Sequence, residues 1–196
     1  DALTDADYNT AVGYGALSSD TLGSRSVAVG TNSLFTQNFT TATNAYNVAV
    51  GESAGLSVTT GVRNTLIGGE SGDALTDADY NVAVGSHSLS SDTLGSKSTA
   101  LGYTALFSQN FTTATDSFNV AVGYETGISV TTGRFNTLIG ALAGDALTTG
   151  SDNVSLGYGS LTSDDVGSRS TAIGVGALAT QNFTTATDAY NTAVGY

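Results

Sequence analysis

One short pattern of polar and apolar positions recurs along this chain. It runs small polar, β-branched, small, aliphatic, glycine. The pattern reads NTAVG at 9–13, SVAVG at 26–30, NVAVG at 47–51, NTLIG at 64–68, NVAVG at 81–85 and STALG at 98–102. It continues as NVAVG at 119–123, NTLIG at 136–140, NVSLG at 153–157, STAIG at 170–174 and NTAVG at 191–195. Val, Ile and Thr suit a pleated backbone and the run is too short for a helix, so each core predicts a strand. No helical or heptad period competes with that reading. The Gly that ends every core predicts a turn with positive φ or a close approach of a neighbour. A further short stretch, such as Ala16-Leu17 or Ala105-Leu106, follows each core, and a second Gly closes most units (Gly23, Gly61, Gly95, Gly133, Gly150, Gly167).

The steps between cores run 17, 21, 17 and 17 residues and then start again, and the block DALTDADYN at Asp1 returns at Asp73 and, degenerate, at Asp145. The chain is therefore a repeat within a repeat, with super-repeats of 72 residues starting at 1, 73 and 145. Stacking one unit on the next predicts an all-β fold, a parallel β-solenoid with one coil per unit and coils about 4.8 Å apart. Residues 1–196 read as one repetitive segment. Starting without Met and in mid-pattern, it is expected to be a piece of a longer fibre protein.

Alternation along a strand points the second and fourth core residues one way and the third the other. Thr10/Val12, Val27/Val29 and their equivalents are taken as the interior. The third residues are Ala11, Ala28, Ala49, Leu66, Ala83, Ala100, Ala121, Leu138, Ser155, Ala172 and Ala193, and ten of these eleven are apolar. Burial on both faces would need a second layer, so this face is expected to be an oligomer interface packed near a symmetry axis. A monomer with an Ala-rich exposed face is the alternative.

The core NTAVG followed by YGAL (residues 9–17), and later by a Gly-Ser pair, resembles two kinds of repeat array. One is the head of trimeric autotransporter adhesins; the other is the repeat array of phage tail fibres. The resemblance implies a left-handed β-roll that forms a homotrimer. It also implies a structural, non-enzymatic shaft or head segment serving host attachment, located on a virion or an extracellular cell surface. Units of 17 and 21 residues are longer than those of the adhesin head, which favours the fibre over the adhesin.

Composition narrows the chemistry. With no Cys and one His, zinc-finger, iron–sulfur and thiol chemistry are excluded. Five Lys+Arg against 17 Asp+Glu give a net charge of −12, which disfavours nucleic acid and anionic membranes as partners. No apolar run is long enough for a membrane span, and no cofactor or metal is expected. Asp77-x-Asp79-x-Asn81 opens like a calcium loop but lacks its Gly and closing Glu, and Asp5-x-Asp7-x-Asn9 does likewise. The core Asn residues are expected to form a structural ladder between coils. The slot before each core alternates aromatic and basic residues over six coils: Tyr8, Arg25, Tyr46, Arg63, Tyr80, Lys97. It reads either as a stabilising edge ladder or as a strip that binds a host glycan. His87 occupies a turn slot held by Gly15 and Gly159 elsewhere, and Asp164-Asp165 is the one adjacent carboxylate pair; neither arrangement makes an active site. The 21-residue unit carries a low-charge stretch, 35–43, 107–115 and 179–187. Its four extra residues are expected to bulge at a corner. Phe39, Phe111 and Phe183 are then expected to be buried between chains, with exposure for receptor recognition as the alternative.

Overall fold

A computed structural model describes residues 6–196. All eleven cores form three-residue strands, from Thr10–Val12 to Thr192–Val194, joined in one parallel sheet in chain order. Register is core on core: Ala28 lies opposite Ala49, Ala49 opposite Leu66 and Leu66 opposite Ala83. Three short two-stranded pairings, such as Gly23–Ser24 with Thr43–Asn44, flank the long units. The fold is an all-β parallel β-solenoid, as the repeat spacing predicts.

The coil closes through left-handed corners. The core Gly residues have φ between 125° and 143°, a region only Gly enters readily. At Gly102 a Cβ would also stand 2.2 Å from the carbonyl oxygen of Gly123 in the next coil. Both expectations for this Gly hold together. The second Gly has a different reason, which is space: at Gly61 a Cβ would lie 2.4 Å from the Ala78 carbonyl oxygen.

The facing of the strands is the reverse of the sequence expectation. Ala28, Ala49, Leu66, Ala83, Ala100, Ala121, Leu138 and Ala172 are fully buried within the chain's own core. Ser155 joins them, with its hydroxyl donating to the Ser160 carbonyl at 2.8 Å. Ala11 is exposed and Ala193 half-buried, in the first and last described coils. The second and fourth residues point outward instead. Alternation separates two faces without saying which is inside, and size decides it here. The coil is too narrow for a β-branched side chain at every rung, so the small third residue turns inward.

Leu66 and Leu138 are the exceptions that show how tight the interior is. Each fills the space left by two glycines. A Cβ on Gly55 or Gly72 would come within 2.7 Å of Leu66, and one on Gly127 within 2.7 Å of Leu138. Burying such a side chain contributes about 1.5–3 kcal/mol.

The polar interior is an unbroken hydrogen-bond ladder. Asn47 Nδ2 donates to the Gly61 carbonyl at 2.7 Å, and Asn47 Oδ1 accepts from the Asn64 backbone N–H at 2.9 Å. Asn64, Asn81, Asn119, Asn136 and Asn153 repeat the arrangement, so the expected Asn ladder is present. In the long units Ser26 and Ser98 replace Asn, and Gln37 and Gln109 complete the ladder. Gln109 Nε2 donates to Ser98 Oγ at 2.8 Å and to Asp92 Oδ2 at 2.6 Å, while its Oε1 accepts from Asn119 Nδ2 at 2.8 Å.

Candidate functional site

Three surfaces carry the expected functional residues: the slot before each core, the long-unit bulge and the outward sheet face. The slot before each core is a left-handed corner. Tyr8, Arg25, Tyr46, Arg63, Tyr80 and Lys97 all have φ between 52° and 65°. Bulky residues are uncommon in that region, and the turn of the corner points each side chain outward along one edge. Coil stacking then brings them face to face. The Arg25 guanidinium lies 4.9 Å from the Tyr8 ring centroid and 5.7 Å from that of Tyr46. Arg63 lies between Tyr46 at 5.8 Å and Tyr80 at 5.3 Å, and donates to the Tyr80 hydroxyl at 2.6 Å.

The ladder extends past the six residues. Lys97 Nζ sits 5.3 Å from the Phe118 ring and 2.5 Å from Asp116 Oδ2. Phe118 stacks on Phe135 at 5.5 Å, and Arg134 covers Phe135 at 4.8 Å. Arg169 covers Tyr190 at 5.4 Å, and its hydrogen bond to the Tyr190 hydroxyl, with the nearby Asp188 carboxylate, raises its pKa further. Every cation is engaged by a ring. Each exposed contact of this kind is worth about 0.5–1 kcal/mol, so the strip works as an edge brace.

The long-unit bulge forms where the four extra residues demand it. Thr40, Thr41 and Ala42 are exposed, and so are Thr112, Thr113 and Ala114. The phenylalanines do not follow the expectation of burial between chains. Phe39 and Phe111 are only 4% and 5% exposed in the single chain. Their rings fold inward over the preceding coil, where Gly23 and Gly95 have no Cβ to obstruct them; one would stand 2.6 Å and 2.7 Å away. Phe183, in the last long unit, is half-buried. Phe39 and Phe111 cap the preceding coil of their own chain.

Beneath each bulge lies a buried carboxylate paired with a Gln, an arrangement that the sequence reading did not find. Asp92 is fully buried and accepts from the Gly95 and Phe111 backbone N–H groups, both at 3.0 Å, besides Gln109. Burial raises its pKa above the ordinary value, against the opposing pull of those hydrogen bonds. Asp20 with Gln37 and Asp164 with Gln181 repeat the pair. A signal was present: each Asp and its Gln are one coil, 17 residues, apart.

The remaining candidates are dispersed. Asp77 Oδ1 accepts from Thr60, Asp79 Oδ1 from the Val62 N–H, and Asn81 belongs to the buried ladder. Asp77 and Asp79 line one open surface pocket with Asp116 and Arg134, but Asn81 turns into the ladder, so the calcium-like spacing does not bring its three residues to one point. Asp5 lies outside the described residues. Among the described residues no group of three or more His, Asp or Glu side chains is placed to hold a metal. His87 Nδ1 lies 3.1 Å from Glu70 Oε2 at the surface, with no hydroxyl nucleophile in the pair.

The outward sheet face carries a continuous apolar row. The fourth core residue is Val, Ile or Leu in every coil, and Ile67, Leu101, Ile139 and Leu156 are each at least 37% exposed. No protein family matches the chain, and no curated protein or solved structure is significantly similar to it.

Proposed function

We propose that this chain is a segment of an extended homotrimeric fibre, most simply the shaft or head of a phage tail fibre. Its copies would associate along the outward sheet face. One observation carries the reading: an eleven-stranded parallel sheet presents a Val/Ile/Leu row along its outer face from end to end. At about 4.8 Å per strand that row is roughly 48 Å long. Parallel sheets are ordinarily covered on both faces, and the side chains of one coil leave this face uncovered. Contact along the row would join rods side by side and keep the ends free for reach. The role is mechanical, with a host-surface glycan or protein as the partner of the complete fibre and the virion surface as its place.

The interface now rests on the second and fourth core residues, since the third are used inside. Val122→Glu should break the assembly into folded single chains, because a carboxylate in an apolar contact is heavily penalised. Ala121→Glu, one residue away, should unfold the coil instead. Sedimentation and circular dichroism separate the two outcomes. A parent protein that sediments as a monomer, or a Val122→Glu protein with unchanged mass, would overturn the reading.

A further inference from the structure

A second corner of the coil carries aromatic rings without cations. All five Lys and Arg residues lie against rings of the ladder. All three Glu residues, Glu52, Glu70 and Glu125, lie elsewhere, one or two positions after a core Gly. Tyr103 and Tyr124 share that strip, stacked with centroids 5.5 Å apart.

Here a cleft of about 420 Å³ opens between coils, lined by Glu70, His87, Ser90, Tyr103, Phe107 and Glu125. The His87 imidazole stands edge-on to both Tyr103 and Phe107, with centroids 6.4 Å away in each case. Its Nδ1 engages Glu70. At the other end, the Tyr124 hydroxyl donates to Glu125, which raises the pKa of that phenol. The lining, not the cleft itself, is particular to the middle of the chain, since an equivalent cleft of about 440 Å³ one super-repeat on is lined by Leu142, Tyr158, Gly159, Thr162 and Val175. One super-repeat away, His87 becomes Gly15 and Gly159, Tyr103 becomes Thr31 and Val175, and Glu70 becomes Leu142. Several positions of an otherwise regular repeat have changed together to give this copy its aromatic and acidic lining.

We propose that this cleft binds an organic ammonium group, held between the Tyr103 and Phe107 rings with Glu70 and Glu125 at its two ends. Ring faces and carboxylates both attract a cation, and no Lys or Arg lines the cleft to compete for them. The chain's charge of −12 raises the local concentration of cations, and added salt weakens that attraction. A neutral ligand would gain only apolar contact with the rings, and an anion would be repelled by the two carboxylates. The site is independent of the sheet face, so it stands or falls separately from fibre assembly.

His87 is the only histidine, so its ring protons give one resolved reporter inside the cleft. Titration of the whole chain with n-butylammonium chloride should move that resonance saturably. Sodium chloride at equal ionic strength and n-butanol, which has the same carbon chain without the charge, should not. Glu125→Gln and Glu70→Gln should each weaken binding about two- to fivefold, as expected for exposed charge pairs. The double variant should weaken binding about four- to twenty-five-fold while the melting temperature stays unchanged. A response to n-butanol equal to that for n-butylammonium would make the cleft merely apolar and overturn the proposal. So would the absence of a saturable shift, or undiminished binding by the double variant. The wild-type comparison of the two ligands decides even where a variant folds poorly.

Discussion

The coils beginning at Asn81 and Ser98 share their core strand and Gly turn with those beginning at Asn119 and Asn136, the Ser98 coil adding its four-residue bulge, yet their interiors differ beyond the corner. The first pair encloses Asp92, Gln109 and Ser98; the second encloses Val130, Leu138 and Leu147. The left-handed corner within each coil is Leu89 (φ 54°) and Leu106 (φ 52°) in the first pair, and Gly127 and Gly144 (both φ 58°) in the second. Coil shape is therefore set at the corners. What fills the coil is interchangeable as long as volume and hydrogen bonding balance. Leu at the corner goes with a small third core residue and a polar side chain beyond it; Gly at the corner makes room for Leu138.

The largest difference between the two interiors should appear on truncation. Leu138→Ala should destabilise by about 4 kcal/mol, in the upper part of the usual range, because the glycines beside it offer no side chain to fill the void. Asp92→Ala strands three donors but leaves a polar space that water can enter, so we expect about 3 kcal/mol. Urea unfolding of the two variants checks the order. A smaller loss for Leu138→Ala than for Asp92→Ala would mean that the apolar coils relax and the polar ones do not.

Acid should separate the two regions more subtly. The native state holds the Asp92 proton more tightly than the unfolded chain, where the value is near 3.8. Its contribution to stability is therefore fully present below that value and is lost as pH rises through the raised native value. The stability of the parent relative to Asp92→Asn should increase on acidification through that window. The slope should be no more than about 1.4 kcal/mol per pH unit. A pH-independent difference in urea midpoints would show that folding does not raise the Asp92 pKa. Leu138→Ala, in the apolar coils, should show no such dependence.

The smallest effect belongs to the outer brace, which serves both kinds of coil equally. Arg63→Ala removes a guanidinium shared by two rings and should lower stability by about 1 kcal/mol. Loss of binding to a glycan array at unchanged stability would instead assign the ladder a recognition role.

Much of this molecule is legible in its residues. The interval between cores dictates the coils and their register, since identical units stack with identical groups opposed. The Gly after Val12, Val29 and their equivalents dictates the turn, because its torsion and its contact with the next carbonyl both exclude a side chain. The Asn ladder and the alternation of Arg and Tyr also follow from position alone, because stacking converts sequence period into contact. The reading went wrong where the answer depended on cross-section. Val27 and Ala28 are both apolar, and only the width of the closed coil turns the alanine in and the valine out. Phe39 and Phe111 bear on the same point. A loop that bulges outward nevertheless sends its ring inward, because Gly23 and Gly95, in the coil before, leave a ring-sized opening. Sequence alone determined the repeat, the strands and the torsions, which are local or periodic properties. The tertiary structure decided inside from outside, since that depends on how much volume a closed coil encloses and on which side chains from other coils already occupy it.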